Sequence, residues 1–288
     1  MLIMINVMLA VSLNLVTGFL GQLTLGHAGF MAIGAYVSAL FTKASELPDI
    51  LSFVIALILA GIAAAAAGII IGIPALRLKG DYIAILTLSA GEIIRGLIIY
   101  FDEYTGGSRG MKMIPDYSNF SNVFWIMIIT IFVIYSIIHS RHGRAVIAIR
   151  EDEIAAESVG INIVNYKLFA FCISAFFAGV AGALFAHYNT LLDPNNFDYN
   201  YSIEMLIMVV FGGMGSLTGS IVAALGLTAL PQILSDFSNY RMLLYSILLI
   251  IIMLFKPSGL FGTHEFSIMA IGGLFKGKKS KTKKRGDL

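Results

Sequence analysis

The chain has 288 residues, 58% of them hydrophobic and 12% charged, with a formal net charge of +2 and a mean hydropathy of +0.87. A soluble domain carries roughly 25% charged residues, so a water-soluble fold is excluded, and with it the charged polar body of a nucleic-acid-binding protein. One cysteine, Cys172, rules out an internal disulfide or a cysteine-based metal centre, and the five histidines lack the spacing of a zinc site.

Crossing about 30 Å of hydrocarbon as a helix takes roughly 20 apolar residues. By that measure, spans are predicted near 2–20, 25–42, 50–74, 81–101, 122–139 and 166–188, then a long apolar region at 202–234 and a last span at 241–256. No segment alternates as barrel strands do. The predicted fold is an all-α integral membrane protein, a polytopic bundle of about eight transmembrane segments with broken or re-entrant helices. Residues 1–20 lack the basic start and cleavage site of a signal peptide and read as a retained first span. Only "GQLTLGHAG" separates it from the second, which either crosses or is re-entrant. His27, between glycines, is expected either in a polar cavity or in an interhelical hydrogen bond.

Glycine and alanine come in blocks at 26–36, at 60–72 (with Gly68 and Gly72 in GxxxG spacing) and at 175–186, which predicts close helix packing in lipid. In the fourth span, Glu92 and Arg95 stand at i,i+3 and are expected to pair on one face, as a clamp in the bundle interior or as the lining of a path. His187 and Glu204 are expected at the interface, near the outer ends of their spans.

Lys and Arg in short loops mark the cytoplasmic side. Arg77 and Lys79, Arg141, Arg144 and Arg150, and the tail at 276–286, which holds seven of the 19 basic residues, belong there. Loops 43–49 and 190–201 are poor in basic residues and belong outside, as does the N-terminus. This alternation requires two crossings within 202–234. The glycine-rich "FGGMGSLTG" at 211–219 supplies the break, leaving segments near 202–211 and 216–234. "GGLFKGKK" at 272–279 begins like a phosphate-binding loop but has Lys279 where Ser or Thr should hold Mg²⁺, so ATP binding by this chain is not expected.

The exception to the apolar pattern is "HGRAVIAIREDEIAAESVGIN" at 142–162. Ile147, Ile154 and Ile161 recur at seven, with acids on other faces, and Gly160 ends the pattern. The spacing predicts one cytoplasmic helix about 25 Å long. Surface-membrane helices favour a basic polar face. This one is mixed and acid-rich, which suits docking into a protein groove.

This segment resembles the coupling-loop signature of ABC importer permeases, with Glu153, Ala155, Ala156 and Gly160 matching and Ile154 interrupting the usual E-A-A run. The chain as a whole resembles the LivM-type permease family of branched-chain amino acid ABC importers, through "GQLTLGHAGFMAIGAY", "LRLKGDYIAILTLSAGEIIR", "TGGSRGM", the block at 144–189, "FGGMGSLTGSIVAA" and "KPSGLFG". The resemblance implies a bacterial inner-membrane subunit rather than an enzyme. Residues 1–275 would be the transmembrane domain, with a coupling loop at about 140–165, and 276–288 a basic cytoplasmic tail. Implied partners are a LivH-type permease, two cytoplasmic ATPases of LivG and LivF type that bind the ATP and Mg²⁺, and an external amino-acid-binding protein. Arg150, Glu153, Ala155, Ala156 and Gly160 would couple to an ATPase. His27, Glu92, Arg95, Gly212 and Gly213 are candidates for the translocation path or bundle interior. No catalytic residue, metal or cofactor is expected on this chain. Transport of urea, short amides or other amino acids, and ion-gradient-driven transport, stay open as alternatives.

Overall fold

Only helices and closed barrels satisfy every backbone polar group in lipid, and the apolar runs of this chain fold as helices. The computed structural model describes residues 1–78, 80–233, 250, 254, 259 and 262. The predicted last span, apart from positions 250 and 254, the basic tail and Lys79 lie outside them. Among the described residues the helices are α1 (Leu2–Asn14), prolonged by a π-helical turn (Leu15–Phe19), α2 (His27–Ala44), α3 (Asp49–Ala75), α4 (Tyr82–Tyr100), the single turn α5 (Asp102–Thr105) and α6 (Phe120–His139). They continue as α7 (Arg141–Glu151), α8 (Glu153–Ser158), α9 (Ile163–Asn189), α10 (Tyr199–Gly212) and α11 (Leu217–Ile233). The only bridge of strand type among these residues joins Met111 to Leu192.

Among the described residues, five helices are long and apolar enough to cross a membrane: α1 with its π turn, α3, α4, α6 and α9. Helices α10 and α11 are shorter apolar segments, separated at Gly213–Ser216 as the glycine-rich break predicts. Over the most apolar 18 residues of each, 89% of α1 with its π turn is buried and 72% of α9, against 22% of α6. The bundle is therefore built around α1 and α9, with α3, α4 and α6 presenting their outer faces to the surroundings.

Packing replaces the hydrophobic effect in lipid, so close backbone approach decides which helices pair. A Cβ on Gly34 would fall 2.1 Å from the carbonyl oxygen of Gly179, and one on Gly179 would meet Ala60 and Ala64. A Cβ on Gly182 would meet the carbonyl of Met31. The three small-residue blocks of the sequence thus lie against one another, as α2, α3 and α9.

The stretch 190–198 departs from expectation. It is not a free outer loop: Phe197 is buried against Tyr36 and Phe185, and Tyr36 donates to the carbonyl of Leu192. The stretch can enter the bundle because its polar groups are satisfied locally. Asp193 accepts from the Asn195 N–H, Asp198 from the Tyr201 N–H, and Glu92 from the Tyr199 N–H at 3.0 Å. Helix α10 therefore starts beside Glu92, midway along α4. His187 is a second correction. It is fully buried within the protein, not exposed at its surface, packed on Phe53 and Tyr117 with Nδ1 2.8 Å from the Pro115 carbonyl.

Candidate functional site

The charged segment is two helices rather than one rod. Asp152 has extended backbone (φ −157°, ψ 110°), and its carboxylate accepts from the N–H groups of Ile154 and Ala155 at 2.9 and 3.1 Å. Aspartate is among the strongest N-caps. It ends α7 and starts α8, and the seven-residue recurrence of isoleucines spans that break instead of marking one face. Ser140 caps α7 in the same way, accepting from the Gly143 N–H.

The two halves differ in environment. In α7, Val146 and Ile149 are buried against the bundle. Helix α8 stands outward: Ile154 is 81% exposed and Val159, just past its end, 76%, while Ala155 is exposed and Ala156 buried. Glu153 forms an ion pair at 2.5 Å with Lys167 on α9, which fixes the start of α8 to that long helix. Gly160 ends α8 at φ +87°, with nothing near enough to crowd a side chain. The residues around 153–160 form an outward knuckle with two apolar tips.

Arg150, at the end of α7, points the other way. Its guanidinium donates to the Gly18 carbonyl at 2.7 Å, inside the π turn of α1. A Cβ on Gly215 would come within 2.7 Å of the same guanidinium, and a Cβ on Gly21 within 2.9 Å of the Arg150 stem. Gly18 itself lies so close to Gly215 that a Cβ would fall 2.3 Å from its nitrogen. One side chain thus touches the π turn, the irregular strand of chain at 20–26 and the turn between α10 and α11.

Asn14 locks these pieces together from inside. Its side chain donates to the Ser216 carbonyl and to Ser220 Oγ, each at 2.9 Å, and accepts from the Gly215 N–H at 3.0 Å. Gly212 and Gly213 are buried in the same turn, Gly212 against Gly219, and Gly213 (φ +113°) against Gly259 and Gly262 of the "KPSGLFG" motif. Two buried polar atoms nearby, Thr17 Oγ1 and Gln22 Oε1, have no partner among the described residues. π turns cluster at functional positions, and unpaired buried polar atoms suit a segment that changes its contacts.

Higher in the bundle, His27 is buried with Nε2 2.9 Å from Ser12 Oγ. Ser12 donates its hydrogen to Leu9 O, so the imidazole is the donor in this interhelical bond. Glu92 and Arg95 pair at 2.7 Å, each more than a quarter exposed (29% and 28%), and Arg95 reaches Asn195 at 3.4 Å. The structure brings Arg150, Gly212 and Gly213 into one cluster, and keeps Glu92 and Arg95 in another on the α4–α10 side. It adds Asn14, Gly18, Gly21 and Gly215, which the sequence reading had passed over. The signal available was a polar residue inside an apolar run, Asn14 in "VMLAVSLNLV". Among the described residues no cluster of His, Cys, Asp or Glu could hold a metal ion.

Comparison with known proteins gives a consistent picture. Residues 1–255 match the family described as branched-chain amino acid transport system / permease component. The chain is similar to the high-affinity branched-chain amino acid transport system permease protein LivM of Salmonella typhimurium, 37% identical over 96% of this chain and 72% of that protein. The Escherichia coli LivM shows the same identity over 97% and 73%. The LivH permease of Salmonella typhimurium is 28% identical over 90% of this chain and 91% of its own length. No solved structure is a significant match.

Proposed function

Because the chain belongs to the family of branched-chain amino acid transport system permease components, we propose that it is a multi-pass permease subunit of an ATP-driven importer of leucine, isoleucine and valine. A LivH-type chain would complete the path, cytoplasmic ATPases would power it, and an external binding protein would supply the substrate. Three features support the coupling part of this reading: the outward knuckle of α8 with its exposed Ile154 and Val159, the ion pair that fixes it to α9, and the inward reach of Arg150. The last carries most weight. An ATPase that grips α8 and displaces α7 pulls on Gly18 and Gly215 through one guanidinium, and so on the π turn of α1 and the α10–α11 turn together. Such coupling is a shift between two arrangements, biased by ATP bound on another subunit. In this reading the π turn, with Thr17 and Gln22, faces the inner end of the path. Glu92 and Arg95 face the path or the second permease, because a partly exposed ion pair at mid-span is costly against lipid.

The test is reconstitution of the full transporter in vesicles with its partner subunits, with leucine uptake measured against urea, alongside ATP hydrolysis. Arg150→Ala is expected to keep ATPase association and hydrolysis while uptake falls at least ten-fold. Urea taken up in place of leucine would overturn the substrate. Wild-type uptake in the Arg150→Ala variant would overturn the coupling route.

A further inference from the structure

Helices α3 and α6 flank a groove of about 830 Å³ whose floor is α9, through Phe176, Phe177 and Val180. Its two ends differ. Asp49, Asp116, Tyr117, Asn119 and Asn122 stand at the mouth, where α3 and α6 begin, and the deep end reaches Ile58 and Thr130 with apolar side chains between. From Asp49 to Ile58 the groove runs about 14 Å along α3 at 1.5 Å per residue, close to the roughly 15 Å of one leaflet's hydrocarbon. With Asp49 at the boundary of a bilayer, the groove would be one leaflet deep and its polar end would meet the headgroups.

Charge narrows the occupant, and slender hydrocarbon chains can lie along the apolar stretch between the two ends. The walls open outward: Val54, Ile58, Trp125 and Ile129 are all exposed on the flank of the bundle. No basic residue lines the groove, and among the described residues neither Asp49 nor Asp116 is in an ion pair. Tyr117 donates to Asp49 Oδ1 at 3.0 Å and holds that carboxylate at the mouth. Desolvation and the Asp49 carboxylate push the phenol above its usual range, so it stays a donor. Anionic phospholipid is disfavoured at such a mouth, and a primary ammonium is favoured.

We propose that the α3–α6 groove binds one phospholipid with an ammonium headgroup, of the phosphatidylethanolamine class, its acyl chains along α9 and its headgroup at Asp49 and Asp116. This depends on the chain lying in a bilayer and not on which substrate it carries.

The experiment uses the complete transporter in nanodiscs, with a photoactivatable diazirine on an acyl chain of either phosphatidylethanolamine or phosphatidylglycerol, and adducts mapped by mass spectrometry. Adducts are expected in 49–58, 119–130 and 176–180, with the ethanolamine probe favoured about five-fold or more. Ile129→Trp, which fills the groove, should remove them. The pair Asp49→Asn and Asp116→Asn, both on exposed side chains, should keep the adducts but equalise the probes. Even labelling over the whole lipid-facing surface, equal or greater yield with phosphatidylglycerol, adducts that persist in Ile129→Trp, or cross-linking of these segments to a partner subunit would each overturn the proposal. Leucine uptake, measured in parallel, separates its failure from failure of the transport reading.

Discussion

Asn14 joins segments 202 and 206 positions apart in the chain. Interhelical hydrogen bonds in membranes average about 0.6 kcal/mol, so Asn14→Ala, losing three, is expected to cost about 2 kcal/mol, read as a lower midpoint in denaturant unfolding of the purified chain. Glycines give a sharper contrast. Gly160 and Gly215 both have positive φ, but a Cβ on Gly160 would meet open space, while one on Gly215 would lie 2.7 Å from the Arg150 guanidinium. Asn tolerates the left-handed region, so Gly160→Asn should change stability by less than about 0.5 kcal/mol. Gly215→Asn should lose about 1 to 3 kcal/mol and displace Arg150. Thermal unfolding of both variants checks the difference. The cost of a buried asparagine is legible in the sequence. Its partners are not, because register between α1 and α11 is decided by packing across the whole bundle.

Among the elements, α3, α4, α6 and α9 begin and end within three residues of the spans read from hydropathy, because each is bounded by charges or by a change to polar loop residues. The π turn and the break at Asp152 were missed for different reasons. The first depends on Gly18 meeting Gly215, a tertiary event. The second is local, an N-cap overridden in the reading by the recurrence of isoleucines. Asp152→Ala should cost about 1 kcal/mol of α8 stability, seen as roughly five-fold faster amide exchange at 154–158. Gly179 and Gly96 make a matching pair for the spans. Gly179→Val collides with the Ala60 carbonyl and should lose more than about 2 kcal/mol, whereas Gly96→Val meets nothing within 4 Å and should be nearly neutral. The small-residue blocks announced close packing, and the structure supplies the pairing of α2 and α3 with α9.

For the molecule as a whole, the cytoplasmic Arg141, Arg144 and Arg150 after α6, together with one crossing by α6 itself, predict that the α8 knuckle and the loop before α6 face opposite sides of the membrane. Val159 and Met113 are both strongly exposed. In a Cys172→Ser background, Val159→Cys and Met113→Cys should react with an impermeant maleimide from opposite faces of oriented vesicles. Labelling from the same face would refute the alternation. The stretch 190–198 shows where polarity misleads: its acids look solvent-bound, yet they satisfy their own backbone and allow Phe197 into the bundle.

The centrality of α1 also bears on how the protein is made. Asn6, Asn14 and the backbone at Ser12 find their partners in Thr228, Tyr201, Ser216, Ser220 and Ser174, all of which leave the ribosome more than 150 residues later. Until then α1 carries unsatisfied asparagine amides in a medium that offers no partner. The nascent chain therefore needs shelter at the insertion machinery until its last helices arrive, and a polypeptide halted before residue 216 should be cleared by membrane proteases faster than the finished one.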